Sequence, residues 1–130
     1  MTKILRHARN ILIGAAVLVV LLSLLSVTLF NKQSGHMRMT SLMREGRLAM
    51  ETRDYGEAAD IYRLAVSLNE RSVKAYLALA EAYRYDGYDE EALYYLKLGM
   101  KKTNSTKIRE AHADLLGKIA VYDPDILNYE

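Results

Sequence analysis

The chain has 130 residues, with 18 Lys or Arg against 16 Asp or Glu and a formal charge of +2. That excess is local: residues 1–37 hold four basic side chains and no acid, so 14 basic and 16 acidic residues remain beyond them. Such a balance gives no basic face or stripe for nucleic acid, and the lack of cysteine removes disulfides, thiolate metal sites and thiol nucleophiles.

Residues 1–10 form a basic flank carrying Lys3, Arg6 and Arg9. Ile11 to Phe30 comes next without a single charge, and fourteen of its twenty residues are Leu, Ile, Val or Phe. On the insertion scale these contribute about −4 to −8 kcal/mol in total. As a helix rising about 1.5 Å per residue, the run matches a hydrocarbon core of roughly 30 Å. Ser23, Ser26 and Thr28 hardly oppose insertion, because their hydroxyls bond back to helix carbonyls. A cleaved secretory leader has a core of about 7 to 15 residues and a small-residue cleavage site. Thr28-Leu29-Phe30-Asn31-Lys32 offers no such pair, so a retained single-pass transmembrane helix over 11–30 is predicted. It has no Gly-x-x-x-Gly pattern for tight helix pairing. The basic start predicts a cytoplasmic amino terminus at a cell membrane, with the chain beyond residue 30 facing the periplasm or exterior. Lys32, Arg38 and Arg44 on the other flank keep that bias modest.

Residues 31–38 read as a polar linker whose flexible point is Ser34-Gly35. From Met39 the pattern turns helical, with Pro124 the single proline and no alternation of β-branched and polar residues. A period of 34 positions organises residues 39–106. Leu42 returns as Tyr76, Gly46 as Ala80, Ala49 as Tyr83, Glu57 as Glu91, Ala58 as Ala92 and Ala65 as Gly99, whereas Leu68 meets Lys102. Small residues recur where two helices would cross closely, and bulky ones fill the space beside them.

This period and these positions resemble the tetratricopeptide repeat (TPR). Residues 73–106 fit through Tyr76, Leu79, Ala80, Tyr83, Gly87, Ala92 and Gly99, and residues 39–72 through Leu42, Gly46, Tyr55, Ala58, Tyr62 and Ala65. The chain departs from the pattern at Glu45, where Leu is usual, at Leu96 for an aromatic, and at Glu70 and Asn104 for proline. Together with the apolar run over 11–30, the resemblance implies an all-α chain: an N-terminal transmembrane helix followed by a short α-solenoid of two helical hairpins plus a capping helix.

Local signals agree with these boundaries. Asp54 and Glu57 form an acidic variant of the capping box, with Asp54 accepting from first-turn amides and Glu57 reaching back. Gly87 suits the second hairpin's turn, and Gly99 inside a helix implies a neighbour too close for a methyl group. A capping helix is expected over 107–122, starting near Ser105 or Thr106. Ile108, Ala111, Leu115, Leu116 and Ile119 lie along one side, with Arg109, Glu110, Asp114 and Lys118 on the other. Asp123-Pro124-Asp125 ends it, leaving a tail over 123–130. Two hairpins fall below the roughly three repeats of an independent core, so stability is expected to be marginal unless self-association, the tail folding back, or a partner that continues the stack offsets it.

The resemblance also implies a concave groove built by the first helix of each hairpin. Its residues would be Thr40, Met43, Arg44, Arg47, Met50 and Glu51 from the first repeat. The second would add Lys74, Leu77, Ala78, Glu81, Arg84 and Tyr85. A protein or peptide partner there would bring acidic groups to Arg44, Arg47 and Arg84, and apolar side chains to Met43, Met50, Leu77 and Tyr85. A solvated face whose charges pair with Glu51 and Glu81 is the alternative. Met43, Arg47 and Ala78 stand where the family's chaperone-binding carboxylate clamp uses Lys and Asn, which argues against that role.

Ten tyrosines against one phenylalanine, five of them within Tyr83 to Tyr95, suit half-buried helix packing with a wet hydroxyl, or an interface hot spot. Lys97, Lys101 and Lys102 suit a helix carboxyl end, and with Lys107 and Arg109 they could also meet anionic lipid or an acidic partner. His7, His36 and His112 lack metal-ligand spacing, and neither a phosphate loop nor a nucleophile elbow is present. No catalysis, metal or cofactor is therefore expected. The predicted function is a membrane-anchored interaction module. A structural subunit of a larger membrane complex, or a homo-oligomer, is the alternative, as is a cytosol-facing layout resembling mitochondrial import receptors.

Overall fold

A computed structural model describes residues 2–122, without the side chains of residues 2, 3, 5, 6 and 31–34. It contains five helices: α1 (Thr2–Glu51), α2 (Tyr55–Leu68), α3 (Val73–Tyr85), α4 (Asp89–Thr103) and α5 (Thr106–Tyr122). No strand occurs among the described residues. The tail expected over 123–130 lies outside them. The chain divides into two units, Met1–Met37 and Arg38–Glu130.

The first unit is the apolar part of α1, the one helix among those described that is long and apolar enough to cross a membrane. Its hydroxyls bond as its sequence demands: Ser23, Ser26 and Thr28 each donate to the carbonyl three residues back, at 2.8 Å. Residues 31–38, read from composition as a linker, run as helix within α1. Gly35 is the only strong helix-breaker there, and its penalty of about 1 kcal/mol is spread over a run of good helix formers such as Lys32, Gln33 and Met37.

In the second unit, connectors of two to four residues bring each helix back against the one before it. α2 packs on α3, α3 on α4 and α4 on α5, and α3 also reaches α5. The same turn closes both hairpins. Arg53 takes a φ of 61°, and the next amide, Asp54 N–H, donates to the Ala49 carbonyl at 2.9 Å. Gly87 takes a φ of 87°, and Tyr88 N–H donates to the Tyr83 carbonyl at 2.8 Å. Each is a left-handed helix ending that satisfies orphan carbonyls, and every residue of one lies 34 positions before its counterpart in the other. Asp54 caps α2 by accepting from Glu57 N–H at 3.2 Å. The return bond expected from Glu57 is not found, because the Asp54 amide is already bound to Ala49.

The core comprises Ala58, Ala65, Ala75, Tyr76, Leu79, Ala82, Ala92, Leu96 and Ile108, with Tyr62 and Leu115 beside them. Two glycines set how closely the helices approach. A Cβ built on Gly46 would lie 2.5 Å from the Tyr62 ring, and one on Gly99 would lie 2.8 Å from Tyr76 and 3.1 Å from Ile108. Along α5, Ile108 and Leu115 are buried and Ala111, Leu116 and Ile119 half-buried, while Arg109, Glu110, Asp114 and Lys118 are exposed. Glu45 differs from its counterpart Leu79 for a positional reason. Leu79 is wholly buried, whereas Glu45 is exposed, accepts from Ser41 Oγ at 2.7 Å and borders an open depression with Leu48, Glu57 and Ile61.

These approaches predict opposite outcomes at two helical glycines. Gly99→Val forces a branched side chain into Tyr76 and Ile108 and lowers stability by about 1–3 kcal/mol. Gly117→Ala enters open space in α5 and raises it by up to about 1 kcal/mol. Thermal unfolding followed by circular dichroism reads both signs.

Candidate functional site

Residues three and four apart share one side of a helix. Met43, Arg47 and Met50 therefore align on α1, as do Lys74, Leu77, Ala78, Glu81 and Tyr85 on α3. The apolar members sit half-buried against the core: Met43, Met50, Leu77 and Ala78 all pack on it. The charged members Arg44, Arg47, Lys74, Glu81 and Arg84 are exposed, as is Thr40. Arg47 pairs with Glu51 at 3.9 Å, both side chains lying in solvent. Tyr85 is 60 % exposed and stacks on Tyr55 with ring centroids 5.3 Å apart.

The face extends further than these two helices. Leu77, Ala80, Glu81 and Arg84 of α3 meet Ala111 and Asp114 of α5 around a depression of about 200 Å³, floored by Leu96 of α4. Asp114 accepts from Lys118 Nζ at 2.7 Å. That bond, with help from the charges of Lys118 and Arg84, holds its carboxyl below the ordinary value of 3.8. On the other side, the Tyr62 hydroxyl feels Glu81 of α3 and Arg47 of α1 together. Arg47, Glu81, Arg84 and Asp114 thus alternate in sign across three helices. Asp114 and Ala111 were not foreseen as members. The visible signal was Asp114 on the polar side of α5, but its neighbours come from an element some thirty residues away in the chain.

The tyrosine cluster is arranged differently. Tyr83 stacks on Tyr95 at 5.5 Å and meets Tyr88 edge-on at 6.5 Å, and Tyr94 meets Tyr95 edge-on at 5.2 Å. Arg63, ion-paired with Asp60 at 2.6 Å, lies beside Tyr83 and Tyr95 and has its pKa raised chiefly by Asp60. Tyr83 and Tyr95 are half-buried packing residues, and Tyr88 and Tyr94 carry exposed faces. Among the described residues no three His, Cys, Asp or Glu side chains are placed to hold a metal ion. No protein-family model, curated protein or solved structure matches this chain.

Burial raises the pKa of Tyr62, Tyr76 and Tyr95 above 10.0. As pH rises past 10.0 the unfolded chain releases these protons first, so folding stability is full below that pH and falls above it. Denaturant titrations on either side of pH 10 read the loss. Carbon-13 NMR of labelled tyrosine reads its origin: Glu81→Gln lowers the Tyr62 pKa, and Arg47→Gln raises it.

Proposed function

We propose that the chain is a membrane-anchored repeat protein that recruits or organises another protein. The apolar segment of α1 crosses a membrane, and two tetratricopeptide-type hairpins, closed by α5, hold a partner segment on the face of α1, α3 and α5. The observation that carries the repeat reading is the turn made twice, at Arg53-Asp54 and Gly87-Tyr88, with the same backbone bond 34 residues apart. It supports the periodicity of residue size with a periodicity of geometry. The partner's chemistry comes from the face: acidic groups for Arg44, Arg47 and Arg84, and apolar side chains for Met43, Met50 and Leu77. The amino terminus lies in the cytoplasm and the repeats outside it. A cytosolic placement of the repeats is favoured by a different observation, the four cations Lys32, Arg38, Arg44 and Arg47 that come after the apolar run.

Three measurements test these parts separately. The protein stays in the membrane pellet after alkaline carbonate washing; release into the supernatant overturns the anchor. Protease digestion before and after the cell is opened fixes the side. Photo-crosslinkers at Arg47 and Arg84 capture a partner that those at Glu57 and Glu90 do not, and Arg47→Glu with Arg84→Glu weakens that capture by about tenfold or more. Capture only from positions within residues 11–30 replaces the groove with a structural-subunit role.

A further inference from the structure

The two ends of the helical stack carry opposite charge. The connector after α2 lies beside the last turn of α4, because Lys102 Nζ meets Glu70 Oε2 at 2.6 Å. At this end stand Arg71 and Lys74, Lys101 and Lys102, and Lys107 and Arg109, all exposed. Arg38 joins them, bordering a depression with Leu64, Ser67 and Leu68 at the end of α2. Glu70 is the one acid in these connectors and flanking turns, and Lys102 already holds it. At the other end Tyr55 stacks on Tyr85, which puts the two hairpin turns side by side. There Asp54 and Glu57 stand with Asp86, Asp89, Glu90 and Glu91, with Glu51 and Asp114 nearby and Arg53, Arg84 and Lys118 as the cations.

Helix stabilisation accounts for only part of this. Lys101 and Lys102 complement the carboxyl end of α4, and the acids before α2 and α4 complement amino ends. Lys74, Lys107 and Arg109 do the reverse: they sit in the first turns of α3 and α5, where the helix dipole disfavours a cation. Their positions suit something outside the fold. Spread over several elements at one end of the stack, they match a broad anionic plane better than a peptide's few carboxylates. The chain also enters the stack at this end, eight residues after Phe30.

We propose that this basic end docks on the anionic phospholipid headgroups of the leaflet it faces. The inference rests on the reading of residues 11–30 as a membrane span. Each Lys or Arg near an anionic surface strengthens attachment about fivefold, so the end as a whole fixes how the repeat domain is presented.

The full chain, reconstituted in nanodiscs of phosphatidylcholine alone or with a third phosphatidylglycerol, tests it. Lysine acylation read by mass spectrometry is expected to slow about fivefold or more at Lys101 and Lys107 in the anionic discs, with Lys118 unchanged as the internal reference. High salt, or Arg71→Gln with Arg109→Gln, restores the faster rate. Equal rates in both discs, with the protein incorporated, overturn the docking and leave the span standing. Failure to incorporate at all overturns the span and the docking with it. Protection of the same lysines by polyglutamate but not by phosphatidylglycerol overturns the lipid assignment in favour of an acidic protein.

Discussion

Everything in the second unit depends on tyrosine rings lying against bare backbone. Gly46 leaves room for Tyr62, and Gly99 leaves room for Tyr76 and Ile108. Helices whose crossings lack a Cβ approach more closely than ordinary side chains allow, and each ring fills the volume so gained. The second hairpin reaches similar packing by another route. Where the first pairs Gly46 with Tyr62, the second sets Ala80 and Leu96, both buried, so one partner gains a methyl group while the other loses its ring. Such exchanges conserve volume, which is what a core tolerates best.

Much of this was legible in the residues. The tight fit at Gly99, the left-handed turn at Gly87 and the amphipathic pattern of α5 all come from local size and spacing, and the structure contains each. What local pattern could not convey was the effect of position in the stack. Glu45 reads as a departure where Leu is usual, yet it borders an open depression at the outer side of α1, and solvent is its proper surrounding. Asp114 reads as one more polar residue of a wet face, and becomes part of the candidate site only when α5 is set against α3. Ser34-Gly35 reads as the flexible point of a linker because both residues are weak helix formers, yet residues 31–38 run as helix within α1, between stretches of stronger formers.

The charged residues contribute to this protein more by placement than by pairing. Its ion pairs, including Lys102 with Glu70, lie in solvent, where such contacts add little to folding. Their arrangement is nevertheless far from random, with cations gathered at one set of connectors and acids at the other. Across the face of α1, α3 and α5, by contrast, the signs alternate. At the two ends, instead, one sign predominates over several connectors and turns. The proposed partner of the face would therefore be selected by the register of its charges, and the proposed lipid surface by total charge.

Nearest-neighbour packing also governs how the molecule comes into being. α2 meets α3, α3 meets α4, and α5 closes on α4 and α3, so each element finds its partners within a short stretch of chain. Chains dominated by such contacts fold quickly. Each hairpin can therefore close without waiting for a distant part of the chain.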